Sequence, residues 1–255
     1  MTFVHAVILG IVEGLTEFLP VSSTGHLILA SRLLKIPATD FLPSFEIAIQ
    51  TGAISAVLVL YGKSALLNPK ILRRLLVAFL PTAVTGFFLY KLIKHLFFNS
   101  IPIVLGSLLL GGIFLIVFDR FYDAKKVGTV ELENISYRHC FLIGLFQSLA
   151  VIPGVSRSAA TIIGGLMLGL HRKVIVEFSF LLAVPTLLAA AGFDLLKNGA
   201  AFSIRQVDLL AVGLAFSFVT AVLSIKFFLY FVQNRGFTVF GIYRMGLAVL
   251  FWLVI

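Results

Sequence analysis

Two carboxylates four residues apart, then three hydroxyls and an imidazole, stand in the run Glu13-Gly-Leu-Thr-Glu17-Phe-Leu-Pro-Val-Ser22-Ser23-Thr24-Gly-His26. On one helix face, Glu13 and Glu17 have Cβ atoms roughly 5–6 Å apart. In apolar surroundings they repel, so they need a cation or a shared proton. A divalent ion with oxygen ligands meets that need, and Mg²⁺ commonly joins one or two carboxylates to substrate phosphates. Ser22, Ser23 and Thr24 follow Pro20 and open the apolar run from Leu27. That is an N-cap pattern, and the free N–H groups of a helix start suit an anion. His26, about one turn further on, has the chemistry of a general acid, general base or nucleophile. The plainer alternatives are carboxylates facing water at a span end, a simple cap, and a hydrogen-bonded packing histidine.

A second polar break, Pro153-Gly154-Val-Ser156-Arg157-Ser158, carries a guanidinium between two apolar runs. The planar fork of arginine matches phosphate bidentately. Ser156, Ser158 and the N–H groups after Gly154 would add donors. Snorkelling of Arg157 to the interface is the plain alternative. Thr161, one turn on, suits either the cavity wall or helix packing. Glu46 and Gln50 form an i, i+4 pair inside an apolar span, and Glu177 opens another. Each lines the cavity or meets headgroups at a span end. Tyr243 and Arg244 lie inside the last span, where an internal salt bridge is at least as good a reading as a substrate role.

Those residues sit in a chain of 255 residues that is 60% hydrophobic and 12% charged. Its mean hydropathy is +1.10, and soluble domains carry only about 45–50% apolar residues. The composition predicts an all-α polytopic membrane protein; the alternating pattern of a barrel is absent. Spans of roughly 17–25 residues are needed to cross a bilayer core. Six segments qualify, near 45–61, 73–91, 101–118, 174–196, 207–229 and 237–255. Residues 3–35 and 139–170 instead hold two short apolar runs each, joined by the two polar breaks. Such runs predict re-entrant helical hairpins, since irregular backbone at depth survives only against protein or a wet cavity. The first apolar run lacks a basic n-region and a small-residue cleavage site, so it is expected to belong to the membrane domain.

The two hairpins correspond at one offset: Gly10 meets Gly144, Glu13 meets Gln147, and Ser22 meets Ser156. A hairpin followed by three spans recurs, giving repeat halves 1–118 and 139–255 within a single integral membrane domain, 1–255. Three spans per half is odd, so the second half is expected to be inverted. The linking loop, 119–138, reads as solvated. Basic residues set the orientation. Lys63, Lys70, Arg73, Arg74, Arg120, Lys125, Lys126, Arg138, Arg172, Lys173, Lys226 and Arg235 fall on one side. Arg32, Lys35, Lys91, Lys94, Lys197 and Arg205 fall on the other. The first side, with the 119–138 loop, is therefore expected to be cytoplasmic and the first hairpin to enter from outside. The net charge of +9 then reads as topology and lipid-headgroup contact rather than nucleic-acid binding. Cys140 is the single cysteine, which excludes an internal disulfide.

If the two breaks meet, they enclose a metal and a polyanion among the spans. A diphosphate on a lipid tail fits, its head in the pocket and its tail in hydrocarbon. Metal and arginine would neutralise the transferring group while serine, histidine or water attacks. A transporter or flippase of a lipid phosphate would use the same anion pocket without hydrolysis.

Both motifs, Glu13 to His26 and Pro153 to Ser158, resemble the signature motifs of the bacterial undecaprenyl-diphosphatase, or bacitracin-resistance, family. Phe45-Glu-Ile-Ala-Ile-Gln50, Glu177 to Pro185 and Ile242-Tyr-Arg244 support the resemblance, which spans essentially the whole chain. It implies metal-dependent hydrolysis of undecaprenyl diphosphate, recycling of the carrier lipid for peptidoglycan synthesis, and bacitracin resistance. It further implies a divalent metal, Mg²⁺ or Ca²⁺, at Glu13 and Glu17, phosphate binding by Arg157, and Ser23 or His26 as nucleophile or acid/base. A bacterial inner-membrane location, with the site facing outside, and a homodimer are compatible with it. One departure is Ala159, where the family usually has glycine.

Overall fold

The structure is a computed structural model describing residues 1–62, 65, 67–92, 100–122, 131–198, 203–234 and 236–254. Lys63, Lys94, Lys125, Lys126 and Arg235, used above for orientation, lie outside the described residues, as do the side chains of Lys91 and Lys197.

Every apolar run expected to be helical is helical. Among the described residues ten α-helices follow in order: α1 (Phe3–Thr16), α2 (Ser23–Leu33), α3 (Phe41–Tyr61), α4 (Pro69–Leu92), α5 (Ile101–Phe121), α6 (Tyr137–Ser148), α7 (Arg157–Met167), α8 (Arg172–Asn198), α9 (Ile204–Asn234) and α10 (Thr238–Val254). Five of them, α3, α4, α5, α8 and α9, are long and apolar enough to cross a membrane. The chain is thus an all-α polytopic membrane protein. The sixth expected span, 237–255, is the 17-residue α10, at the lower limit for crossing. Its start is fixed by Asp119, whose carboxylate accepts from the Thr238 amide at 3.2 Å and hydroxyl at 2.6 Å.

Around the two breaks the helices are short. α1 has 14 residues, α2 11, α6 12 and α7 11. At 1.5 Å per residue none reaches across a core of about 30 Å. Each break ends in the same device. Ser22 (φ +72°) and Ser156 (φ +80°) cap α2 and α7 from the left-handed region. Their hydroxyls accept from the amides of Gly25, at 3.3 Å, and Ala159, at 3.2 Å. Non-glycine residues hold positive φ only where the surroundings over-determine it.

The first helix of each short pair lies on a long helix distant in sequence, α1 on α9 and α6 on α4. Glycine makes these approaches close. A Cβ on Gly10 would stand 2.5 Å from Gly213 O, and one on Gly144 would press into Ala78 O of α4. Small residues at such crossings are how helices without a hydrophobic driving force associate in lipid. Ser224 of α9 donates to Leu15 O at 2.8 Å and Ser158 of α7 donates to Phe18 O at 2.8 Å, so carbonyls released where α1 ends find partners. A Cβ on Gly14 would collide with Ser217 O and the Thr220 hydroxyl of α9. Gly14→Val is therefore expected to destabilise the protein by about 1–3 kcal/mol, read as a lower thermal midpoint in detergent.

Candidate active site

The two breaks do meet. Arg157, the first residue of α7, reaches Glu17, just past α1, with Nη2 to Oε1 at 2.8 Å. The side chains of this ion pair are 10% and 4% exposed. Arg157 Nη1 donates to Ser179 O of α8 at 2.6 Å. Its Nε is buried with no partner, a donor left over for an anion. The other Glu17 oxygen, Oε2, accepts a short hydrogen bond from the Ser23 hydroxyl. One carboxylate therefore holds both the candidate nucleophile and the candidate phosphate ligand.

Beside it lies Glu13, fully buried, both oxygens without a donor in reach and the Glu17 carboxylate adjacent. A buried carboxylate with neither proton donor nor cation is costly. The pair accordingly fits a bound cation or a shared proton. Among the described residues no third His, Cys, Asp or Glu completes a ligand set. Any further ligands would be hydroxyl, water or substrate oxygens, as Mg²⁺ commonly accepts.

A cavity of about 220 Å³ opens on this cluster, several times the ~30 Å³ that one water occupies in the liquid. Of the residues singled out in the sequence, Glu17, Ser22, Ser23, Thr24, Gly154, Ser156, Arg157 and Gln50 line it. Ser158, Thr161, His26, Glu13, Glu46 and Glu177 are not on its wall. Ser158 is spent on Phe18 O, and Thr161 donates to Arg157 O at 2.8 Å. Glu46 is buried and accepts from Ser31 at 2.7 Å. His26 is turned away: Nδ1 is 2.7 Å from Ser22 O and Nε2 is 2.8 Å from the Tyr243 hydroxyl. A carbonyl only accepts, so Nδ1 carries the proton and, in the neutral ring, Nε2 accepts from Tyr243.

The far wall was not anticipated. Gln147, in α6, is fully buried and donates from Nε2 to the Thr82 hydroxyl at 2.8 Å and the Thr186 hydroxyl at 3.2 Å. All three line the cavity. The available signal was a repeated Pro-Thr pair inside two spans, Pro81-Thr82 and Pro185-Thr186, since proline in a membrane helix frees backbone groups that hydroxyls and neighbours re-satisfy. Gln50, Thr82 and Thr186 stand near the middles of α3, α4 and α8, which puts the cavity at mid-length of the spans.

Fold and cavity together define a polytopic membrane protein with a charged, hydroxyl-rich chamber among its spans. The chain belongs to the bacitracin resistance protein BacA family, whose model matches residues 6–250. It is 51% identical to an undecaprenyl-diphosphatase of Persephonella marina over 255 residues, covering 100% of both chains. An undecaprenyl-diphosphatase of Aquifex aeolicus is 49% identical over 251 residues, with 98% of each chain covered. One of Wolinella succinogenes is 50% identical over 251 residues, covering 98% of this chain and 97% of the relative. Membership makes the chain an enzyme of the phosphatase class.

Proposed function

We propose that the chain hydrolyses undecaprenyl diphosphate to undecaprenyl phosphate and inorganic phosphate in this cavity. The observation that carries the reading is the cluster in which Arg157, with Nε unpartnered, and the Ser23 hydroxyl share Glu17. The terminal phosphate binds Arg157 and the amides that open α2 and α7. Its arrival competes for the guanidinium and leaves Glu17 to the Ser23 proton. Ser23 Oγ attacks the terminal phosphorus as its proton passes to Glu17. The P–O bond to the bridging oxygen breaks, and the lipid monophosphate leaves. Water then attacks the phosphorus of the phosphoserine, the P–Oγ bond breaks to release inorganic phosphate, and Glu17 returns its proton to Ser23 Oγ. Ser23 is preferred over His26 because both ring nitrogens of His26 are engaged away from the cavity wall.

Glu13 and Glu17 would hold a divalent ion, Mg²⁺ or Ca²⁺, and the orphaned Glu13 oxygens support that fit. Such an ion would neutralise charge developing on the diphosphate. The lipid tail stays in hydrocarbon, in the inner membrane of a bacterium, with the site on the outer side. Recycling of the carrier for peptidoglycan synthesis follows, and so does bacitracin resistance, because that antibiotic sequesters the diphosphate.

The test is phosphate release from a prenyl diphosphate by purified protein, with and without EDTA. EDTA is expected to abolish release and Mg²⁺ or Ca²⁺ to restore it. Glu13→Gln is expected to raise the metal concentration for half-maximal rate by about 10- to 100-fold. Release that survives EDTA would refute the metal requirement. Lipid binding without any release would favour transport.

A further inference from the structure

α10 carries a charge that the site described above leaves unused. Arg244 is fully buried. The ion pairs among the described residues are Lys70–Glu133, Arg157–Glu17 and Arg172–Asp119, so Arg244 is in none of them, and it is not on the cavity wall. Its guanidinium instead donates to five backbone carbonyls. Nη2 reaches Gly154 O at 2.7 Å and Ser107 O at 2.9 Å. Nη1 reaches Val155 O at 3.1 Å and Pro20 O at 3.3 Å, and Nε reaches Leu108 O at 3.4 Å. A guanidinium has five N–H donors, and here each has an acceptor. The pocket is shaped for it, since a Cβ on Gly111 of α5 would overlap the guanidinium.

Three of the five carbonyls belong to the breaks: Pro20 to the first, Gly154 and Val155 to the second. We infer that Arg244 is a positioning residue for the phosphate site, tying both breaks to one point on α5 and α10. In a trans peptide the C=O and N–H point in opposite directions. Val155 O faces Arg244, which stands behind the cavity wall, so the Ser156 N–H is directed the other way, and Ser156 lines the cavity. Tyr243, the preceding residue, adds a second tie through His26 to Ser22 O. Consecutive residues of α10 thus grip the chain at 20, 22, 154 and 155, which holds Ser23 and Arg157 in register. Lysine, with three donors on one atom, cannot reproduce a five-carbonyl grip.

This inference rests on the phosphatase reading, and its test separates the two. Purified wild type, Arg244→Ala and Arg244→Lys are compared on a short prenyl diphosphate. Arg244→Ala is expected to lower kcat about 100-fold while KM changes less than about threefold. Guanidinium ion, and not equimolar ammonium, is expected to recover at least about tenfold of that loss. Arg244→Lys, which keeps the charge and replaces the alanine variant should that one fail to fold, is expected to remain at least about tenfold impaired. Orthovanadate, a mimic of five-coordinate phosphorus, is titrated by thermal shift, and its affinity is expected to fall in parallel with kcat. Wild-type kcat in either variant, or unchanged vanadate affinity, overturns the positioning role. Absence of turnover by the wild type sinks the phosphatase reading instead, and the vanadate titration still decides the role of Arg244.

Discussion

Ser23→Ala is expected to lower phosphate release by at least about 10³-fold while leaving the protein folded and its KM within a few-fold. The reason is geometric. Ser23 is the hydroxyl that donates to Glu17 and also lines the cavity. Ser22 lines the same wall but is spent on capping, its Oγ accepting from the Gly25 amide at 3.3 Å. Ser22→Ala removes a cap worth about 1 kcal/mol without removing a nucleophile, so its activity loss is expected to be much the smaller. Acid quench of the wild type on a prenyl diphosphate labelled at the terminal phosphate is expected to trap label on the protein, and none on Ser23→Ala. Label on the alanine variant, or a tenth of wild-type turnover, would return the attack to water or His26.

The second large effect concerns charge balance. Glu17 and Arg157 are a buried pair, and Glu13 adds a further carboxylate beside them. Removing one member of such a pair leaves an uncompensated buried charge and costs about 3–5 kcal/mol. Arg157→Ala is accordingly expected to lose phosphate release by about 10³-fold or more and to melt well below the wild type. Arg157→Lys keeps a positive charge but not the fork that serves Glu17 Oε1 and Ser179 O together while leaving Nε for the anion. It is expected to recover most of the stability and little of the activity. A lysine variant with near wild-type turnover would show that charge alone is needed and that the planar fork is not.

The sequence was most informative where physics acts over a few residues. Apolar length placed five crossing helices and α10 within a few residues of their ends, because hydropathy and backbone satisfaction in lipid are properties of a single segment. The Pro-Gly-Ser breaks were legible for the same reason: Ser22 and Ser156 are caps, and caps are read from their immediate neighbours. Glu13, Glu17 and Arg157 stood out because a charge inside an apolar run is expensive wherever it ends up.

Direction and partnership were decided elsewhere. Hydropathy fixes how deep a side chain lies in a span and says little about which way round the helix it points. Ser158 and Arg157 are chain neighbours, yet one is spent on Phe18 O and the other faces the cavity. His26, three residues after Ser23, is turned to Tyr243, 217 positions away. The Pro-Thr pairs of α4 and α8 became cavity wall only because Gln147 stands between them. The Glu17–Arg157 pair joins residues 140 apart, and the carbonyls around Arg244 come from α5 and both breaks. The Glu13-to-His26 run thus determined by itself that carboxylates, hydroxyls and an imidazole enter the membrane part of the chain. Only the packing of α1 on α9 and α6 on α4 decided which of them share a cavity. Such contacts depend on how whole helices cross, which no local stretch of sequence encodes.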